Sequence, residues 1–265
     1  MPSSTSTSAI SAERREPAEG ALVVVGGNRG IGAEVARRAA RAGMPVAIVY
    51  YSRAAEAERT VADIEAEGGR AHAFQADIGV EAEAERAFAE IEQHFGRLRG
   101  LVQCAVMAGA PGRLAELAGS ELERVFRSNV FGAFYCCREA SRRMSRANGQ
   151  HGGAIVLFSS VVAVTTGAPG NWLHFAASKG ALEVFSRGLS RELAPEGVRV
   201  NLVRCGMIDT ETRRTQSEEY RQKLLAQIPL GRMGEPAEVA EVVLWLLSSG
   251  ASYVSGAEVD VDGAL

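Results

Sequence analysis

Ser160, Phe175 and Lys179 fall in one stretch, SVVAVTTGAPGNWLHFAASKG, whose residue types could do chemistry. The chain has only two lysines, Lys179 and Lys223, among 29 basic residues. Retaining a lysine in so arginine-rich a sequence points to a need for a compact ammonium rather than a planar fork. Positions 175 and 179 are four apart, so on a helix they share one face. Phe175 fills space on that face but cannot donate a proton, bond a carbonyl or ionise. His174 is of a residue type that often serves as an acid or base. It lies five residues from Lys179, about 140° around a helix axis, and serves only if the helix begins after it.

These side chains need elements to position them. ALVVV (21–25), PVAIVY (45–50), AHAFQA (71–76), LRGLVQCAV (98–106), GAIVLFS (153–159), VRVNLV (198–203) and EVDVDG (258–263) read as seven strands. Between them run amphipathic stretches with apolar residues at three- and four-residue spacing. Gly43, Gly68 and Gly96 stand where helices would end. Such alternation specifies an α/β domain: a doubly wound, seven-stranded parallel sheet with helices on both faces, of Rossmann type. It spans residues 21–265, after a polar segment, 1–20, expected to be a disordered tail.

The first strand runs into GGNRGIG. Gly26, Gly30 and Gly32 stand between a strand and a helix, where glycine lets the backbone approach a pyrophosphate at the helix N-terminus. Asn28, Arg29 and Ile31 complete the loop. After the second strand an acidic residue would bind ribose hydroxyls and repel a 2′-phosphate. Here stand Ser52 and Arg53, with Arg29 nearby, so two guanidiniums and no carboxylate favour NADP(H), with NAD(H) possible. Asp77 and Ile78 follow the third strand; an aspartate there is also a common turn former.

Bulk properties narrow the function classes. A net charge of −3 offers no basic face for nucleic acid or an anionic membrane. No run approaches the roughly 18 apolar residues of a membrane span. Cys104, Cys136, Cys137 and Cys205 show no metal-ligand spacing, so no metal is expected, and reduced thiols suit a cytoplasmic location.

Taken together, GGNRGIG, ADI (76–78), SNVFGAFYCCREA, IVLFSSV, FAASKGAL, GVRVNLVRCGMIDT and YVSGAEVDVDG resemble the short-chain dehydrogenase/reductase family over residues 21–263, near its glucose-dehydrogenase-like and ketoreductase-like branch. The resemblance implies an oxidoreductase moving hydride between a nicotinamide cofactor and a small-molecule carbonyl, alcohol or activated C=C. It implies a serine at Ser160, a cofactor-binding lysine at Lys179 that also tunes a tyrosine, and a proton-relay asparagine at Asn129. Asp77 and Ile78 fall at the adenine, Ala105 beside the cofactor, and Ile208 and Thr210 at the carboxamide. The tyrosine position falls on Phe175. Trp172 matches the tyrosine spacing of the family's enoyl-thioester reductases, but indole is no useful acid.

Three further departures accompany Phe175. Val25 stands where the glycine loop usually starts with threonine, Gln103-Cys104-Ala105-Val106 replaces Asn-Asn-Ala-Gly, and Cys205 replaces a proline. The loop 165–173 looks longer than is usual. Residues 207–230 correspond to a variable lid over the substrate. The segment from Pro236 to Gly256 and the last strand resemble those that pair subunits in the family, implying a homo-oligomer, a tetramer or dimer. Two other readings stay open: a cofactor-binding protein without redox activity, such as an inactive subunit, and a non-redox enzyme such as a cyclase, dehydratase or isomerase.

Overall fold

Strands covered by helices on both faces must be apolar throughout, and ALVVV meets that demand with every residue buried. The computed structural model describes residues 20–165, 171–214 and 218–265. Among these, β1 (Ala21–Val25), β2 (Val46–Tyr50), β3 (Ala71–Gln75), β4 (Leu98–Gln103), β5 (Gly153–Ser160), β6 (Val198–Cys205) and β7 (Glu258–Val261) form one parallel sheet. Its order, β3-β2-β1-β4-β5-β6-β7, reverses direction between β1 and β4. This is the doubly wound architecture expected of the sequence.

The connecting helices are α1 (Gly30–Arg41), α2 (Ala54–Ala66), α3 (Glu81–Phe95), α4 (Gly119–Phe126), α5 (Gly132–Met144), α6 (Leu173–Leu193), α7 (Glu211–Arg214), α8 (Glu218–Leu225) and α9 (Pro236–Leu247). Two cores fill the faces of the sheet. One packs Phe88, Ile91, Cys136, Cys137, Met144 and Leu182 of α3, α5 and α6 against the strands. The other packs Val35, Ala36, Ile64, Val239 and Val243 of α1, α2 and α9. Each fully buried aliphatic side chain contributes roughly 1.5–3 kcal/mol. No helix among the described residues is long and apolar enough to cross a membrane.

Strand ends differ from the sequence pattern in two instructive places. β4 stops at Gln103 rather than Val106, because the chain leaves the sheet to pass over the glycine loop after Cys104 N bonds Val25 O. β6 continues to Cys205, in register with Ser160 of β5 and Val261 of β7. A cysteine keeps the N–H that a proline lacks, so the ladder can extend. Of the sequence expectations, the tail lies outside the described residues except at Gly20; so do residues 166–170 of the long loop and 215–217 of the lid.

An ion network clamps α6 to the sheet. Arg204 on β6 donates to Glu183 of α6 (2.9 Å), to Glu258 of β7 (2.6 Å) and to Asp260, and Glu183 also accepts from Ser159 of β5 (2.9 Å). Arg204 and Glu183 are both buried, and these carboxylates hold the guanidinium charged. Arg204→Met should therefore cost about 3–5 kcal/mol in urea denaturation, since it strands Glu183 without its partner. Arg204→Met/Glu183→Leu should recover part of that loss.

Candidate active site

The sheet reverses between β1 and β4, so the loops after those strands diverge and leave a crevice at their C-terminal ends. The glycine loop fills its floor. Gly26 has φ +79, and a Cβ there would stand 2.8 Å from the backbone of Ala105. A Cβ on Gly32 would meet Gly26 O at 2.2 Å. Glycine is required at both positions. Val25, lacking a hydroxyl, is buried, and the turn is braced by backbone instead: Gly26 N donates to Val49 O (2.8 Å). The first turn of α1 holds no acidic residue and Arg29 provides no side-chain cap, so its N–H groups suit a phosphate. Gly30 faces Thr210, whose Cγ2 lies 3.5 Å from an ideal Cβ. Ile31 packs against the core behind the loop. This cradle fits a dinucleotide.

At the ribose corner, Arg53 takes a left-handed conformation (φ 66, ψ 57) as the chain turns into α2, while Ser52 is exposed. The sequence pattern suggested two guanidiniums and no carboxylate. The fold brings one in: Glu56, one turn into α2, pairs with Arg53 (2.9 Å) and accepts from Asn28 Nδ2 (3.5 Å). Its only signal in the sequence was a place three residues after Arg53. Asp77 is a turn former, accepting from Gly79 N (2.9 Å) and pairing with Arg127 (3.3 Å). Ile78 is buried against Gly132. Ile208 is buried and forms a β-bridge with Gly234 at the base of the lid.

The adjacent serines divide. Ser159 is buried and committed to Glu183. Ser160 is half-buried, its oxygen weakly capping the next turn through Val162 N (3.4 Å). Lys179 is buried, with Nζ donating to Phe158 O (2.9 Å) and standing 5.8 Å from the Phe175 ring centre. Burial lowers its ammonium to about 8, an effect that the flanking Cys104 and Cys205 oppose. Burial in turn pushes the Cys104 thiol up to about 11 and that of Cys205 higher still. Two departures from the family pattern thus lie beside the lysine.

Asn129 sits in a π-helical turn, Arg127–Phe131, between α4 and α5. Its side chain is fully engaged: Oδ1 accepts from Met107 N (2.7 Å), while Nδ2 donates to Met107 O (2.8 Å) and Ser178 Oγ (3.0 Å). That geometry positions the chain after β4, in a single π-helical turn of the kind often found at functional sites. Ser178, missed in the sequence, completes this lock. His174 is inside α6, because the helix begins at Leu173, and it is buried against α4. A Cβ on Gly109 would lie 2.8 Å from His174 Nε2 and 2.7 Å from Glu121 Oε1. It turns away from Lys179 and does not replace the missing phenol. Trp172 packs edge-on to Phe175 at 6.4 Å.

Gln103 ends β4 almost wholly buried, with neither amide atom bonded to protein. A buried amide without partners costs roughly 1–3 kcal/mol. Gln103→Met, which keeps the volume, should raise the unfolding free energy by about 1 kcal/mol in chemical denaturation.

Comparison with known proteins matches this frame. Residues 25–265 match a family model described as enoyl-(acyl carrier protein) reductase. An uncharacterized oxidoreductase of Escherichia coli, YgfF, is 41% identical over 242 residues, 91% of this chain and 98% of that protein. Glucose 1-dehydrogenase 2 of Bacillus subtilis is 33% identical over 92% of this chain and 93% of its own length. A short-chain dehydrogenase of Burkholderia cenocepacia, solved in complex with NADP, superposes with a TM-score of 0.86 at 31% identity, covering 94% of this chain and 99% of that one. The chain is an oxidoreductase and belongs to the short-chain dehydrogenase/reductase family.

Proposed function

We propose that the chain is an NADP(H)-dependent oxidoreductase acting on a small carbonyl, alcohol or activated C=C compound, with a proton source other than a tyrosine. The observation that carries this reading is Lys179: a buried ammonium on α6 that donates to Phe158 O near the end of β5, in a fold whose glycine loop admits no side chain at Gly26 or Gly32. A relative solved with NADP supports the cofactor class. Gly26, Asn28, Arg29, Gly30, Ile31 and Gly32 would cradle the pyrophosphate. Ser52 and Arg53 would meet the adenosine ribose, Asp77 and Ile78 the adenine, and Ala105, Ile208 and Thr210 the nicotinamide half. The bound nicotinamide supplies or takes a hydride.

The chain's own residues do the rest. Lys179 would bind the nicotinamide ribose, and Ser160 would donate its hydroxyl proton to a substrate carbonyl and steady charge developing on it. Asn129 would fix the loop that carries Ala105 through Met107. Phe175, packed with Trp172, would fill the space of a phenol without its proton, leaving proton delivery to solvent. General acid catalysis is worth roughly 10²–10⁴ in rate. Its loss weighs least on C=C reduction, where the carbonyl needs a hydrogen bond and solvent can protonate carbon afterwards. Phe175 therefore favours enones and enoyl compounds over plain ketones.

Assay of NADPH oxidation against ketones and enones, in wild type and Phe175→Tyr, tests this. Wild type should turn over enones, and Phe175→Tyr should raise ketone reduction by about 10²-fold. Binding without turnover of either class until tyrosine is restored would overturn the proposal. The Lys179 ammonium also gives a pH signature. NADPH affinity should weaken as pH rises through about 8, and Lys179→Met should remove that limb. A lysine whose ordinary value is 10.5 binds its proton more tightly when unfolded. Stability of the free protein should thus rise between pH 8 and 10.5 relative to Lys179→Met.

A homo-oligomer accompanies this reading. Phe131 and Phe134, at and just beyond the start of α5, and Val184 on α6 are 51%, 45% and 68% exposed, and Phe134 stacks on Phe185 at 3.8 Å. Exposed apolar side chains gathered on neighbouring helices mark a surface for a second copy. Sedimentation should show dimers or tetramers that Phe134→Glu/Val184→Glu dissociates.

A further inference from the structure

Glu56 is unassigned by the sequence motifs, yet it stands at the ribose corner. Its Oε1 accepts from Arg53 Nη1 at 2.9 Å, and its Oε2 lies 3.5 Å from Asn28 Nδ2 in the glycine loop. Thr60, buried one turn further on, holds both partners in place: its Oγ1 donates to Asn28 O (3.2 Å) and Glu56 O (3.1 Å). The carboxylate thus spans the two segments between which an adenosine ribose would sit. It is three-quarters buried, with 27% side-chain exposure, whereas the Arg53 guanidinium is 57% exposed. The N-terminal turn of α2 also attracts a carboxylate.

We infer that Glu56 is the residue that sets discrimination between NADPH and NADH, acting as the resident counter-ion of Arg53. The inference rests on the proposed cofactor class. A 2′-phosphate would compete with Glu56 for the Arg53 guanidinium and be repelled by it at close range. A 2′-hydroxyl would donate to the same carboxylate and leave the Arg53 pair intact. One side chain therefore penalises the phosphorylated cofactor and favours the unphosphorylated one. The Arg53 guanidinium by itself would favour NADP(H); Glu56 moderates that preference toward use of both.

Opposite signs distinguish this role from a structural one, since a glutamate that merely stabilised α2 would shift both affinities together. Dissociation constants for NADPH and NADH should be measured by fluorescence titration of the full chain at fixed ionic strength. In Glu56→Gln, NADPH should bind about fivefold more tightly and NADH about threefold more weakly, moving the ratio by about fifteenfold, or about 1.6 kcal/mol. Glu56→Asp, whose shorter side chain withdraws from Arg53, should move the ratio in the same direction by less. Arg53→Ala should weaken NADPH about tenfold and leave NADH within about twofold. Thermal denaturation of each variant checks that the fold persists. An unchanged ratio in Glu56→Gln, with wild type binding NADPH, would overturn the role of Glu56 alone. Failure of wild type to bind either cofactor would overturn the proposed function and this inference together.

Discussion

Two buried polar side chains one turn apart on α6 tie the active-site helix to the sheet. Lys179 reaches Phe158 O at the end of β5, and Glu183 reaches Arg204 on β6. Neither contact is cheap, because a charge taken from water must be matched closely by its partners. Glu183 is matched by Arg204 and Ser159, whereas Lys179 has one carbonyl, and both contacts use strand ends that the parallel sheet places side by side. The position of Lys179 relative to Ser160 follows from this double attachment. So does the orientation of Phe175, which lies on the same helical face one turn earlier. The site is an outgrowth of the sheet's register, set before any ligand arrives.

The departures from the family pattern gather around that lysine. Cys104, just past the end of β4, and Cys205, at the end of β6, bracket Lys179, while the Phe175 ring centre lies 5.8 Å from its nitrogen. These are small or apolar surroundings for an ammonium, and burial accordingly weakens its hold on a proton. The cluster behaves as one chemical environment in which the cation is retained and its neighbours are made less polar. That pattern fits a site that keeps hydrogen-bond donors for a cofactor while giving up proton delivery to a carbonyl.

Much of the fold was legible because its signals are local. Short segments of five to nine residues marked all seven strands to within a few positions, and the glycines at 26, 30 and 32 marked the turn between β1 and α1. Strand ends were less legible. Whether β4 stops at Gln103 depends on where the glycine loop lies, a contact between segments some 80 residues apart in the chain. The same holds for the site. Gly32 could be read from spacing and Ser160 and Lys179 from the family resemblance, but the engagement of Ser159 needed Glu183, and the commitment of Asn129 needed Met107 and Ser178. Glu56 was hidden because a glutamate early in a helix looks like any solvated charge until a neighbouring loop is laid against it.

The bridge between Ile208 and Gly234 carries a consequence for how this scaffold changes its substrates. Backbone bonds from Asp209 N to Gly234 O and from Gly234 N to Met207 O clamp the two ends of the lid segment together at its base. A segment pinned at both ends is a closed loop, and the entropy of closing a loop grows only with the logarithm of its length. Residues between the clamps can be exchanged, inserted or removed at small thermodynamic cost, while Ile208 and Thr210 stay where the glycine cradle needs them. Under the proposed function, recognition and redox chemistry would be decoupled: the segment over the substrate could vary as a detachable cassette, hung on posts beside the glycine cradle.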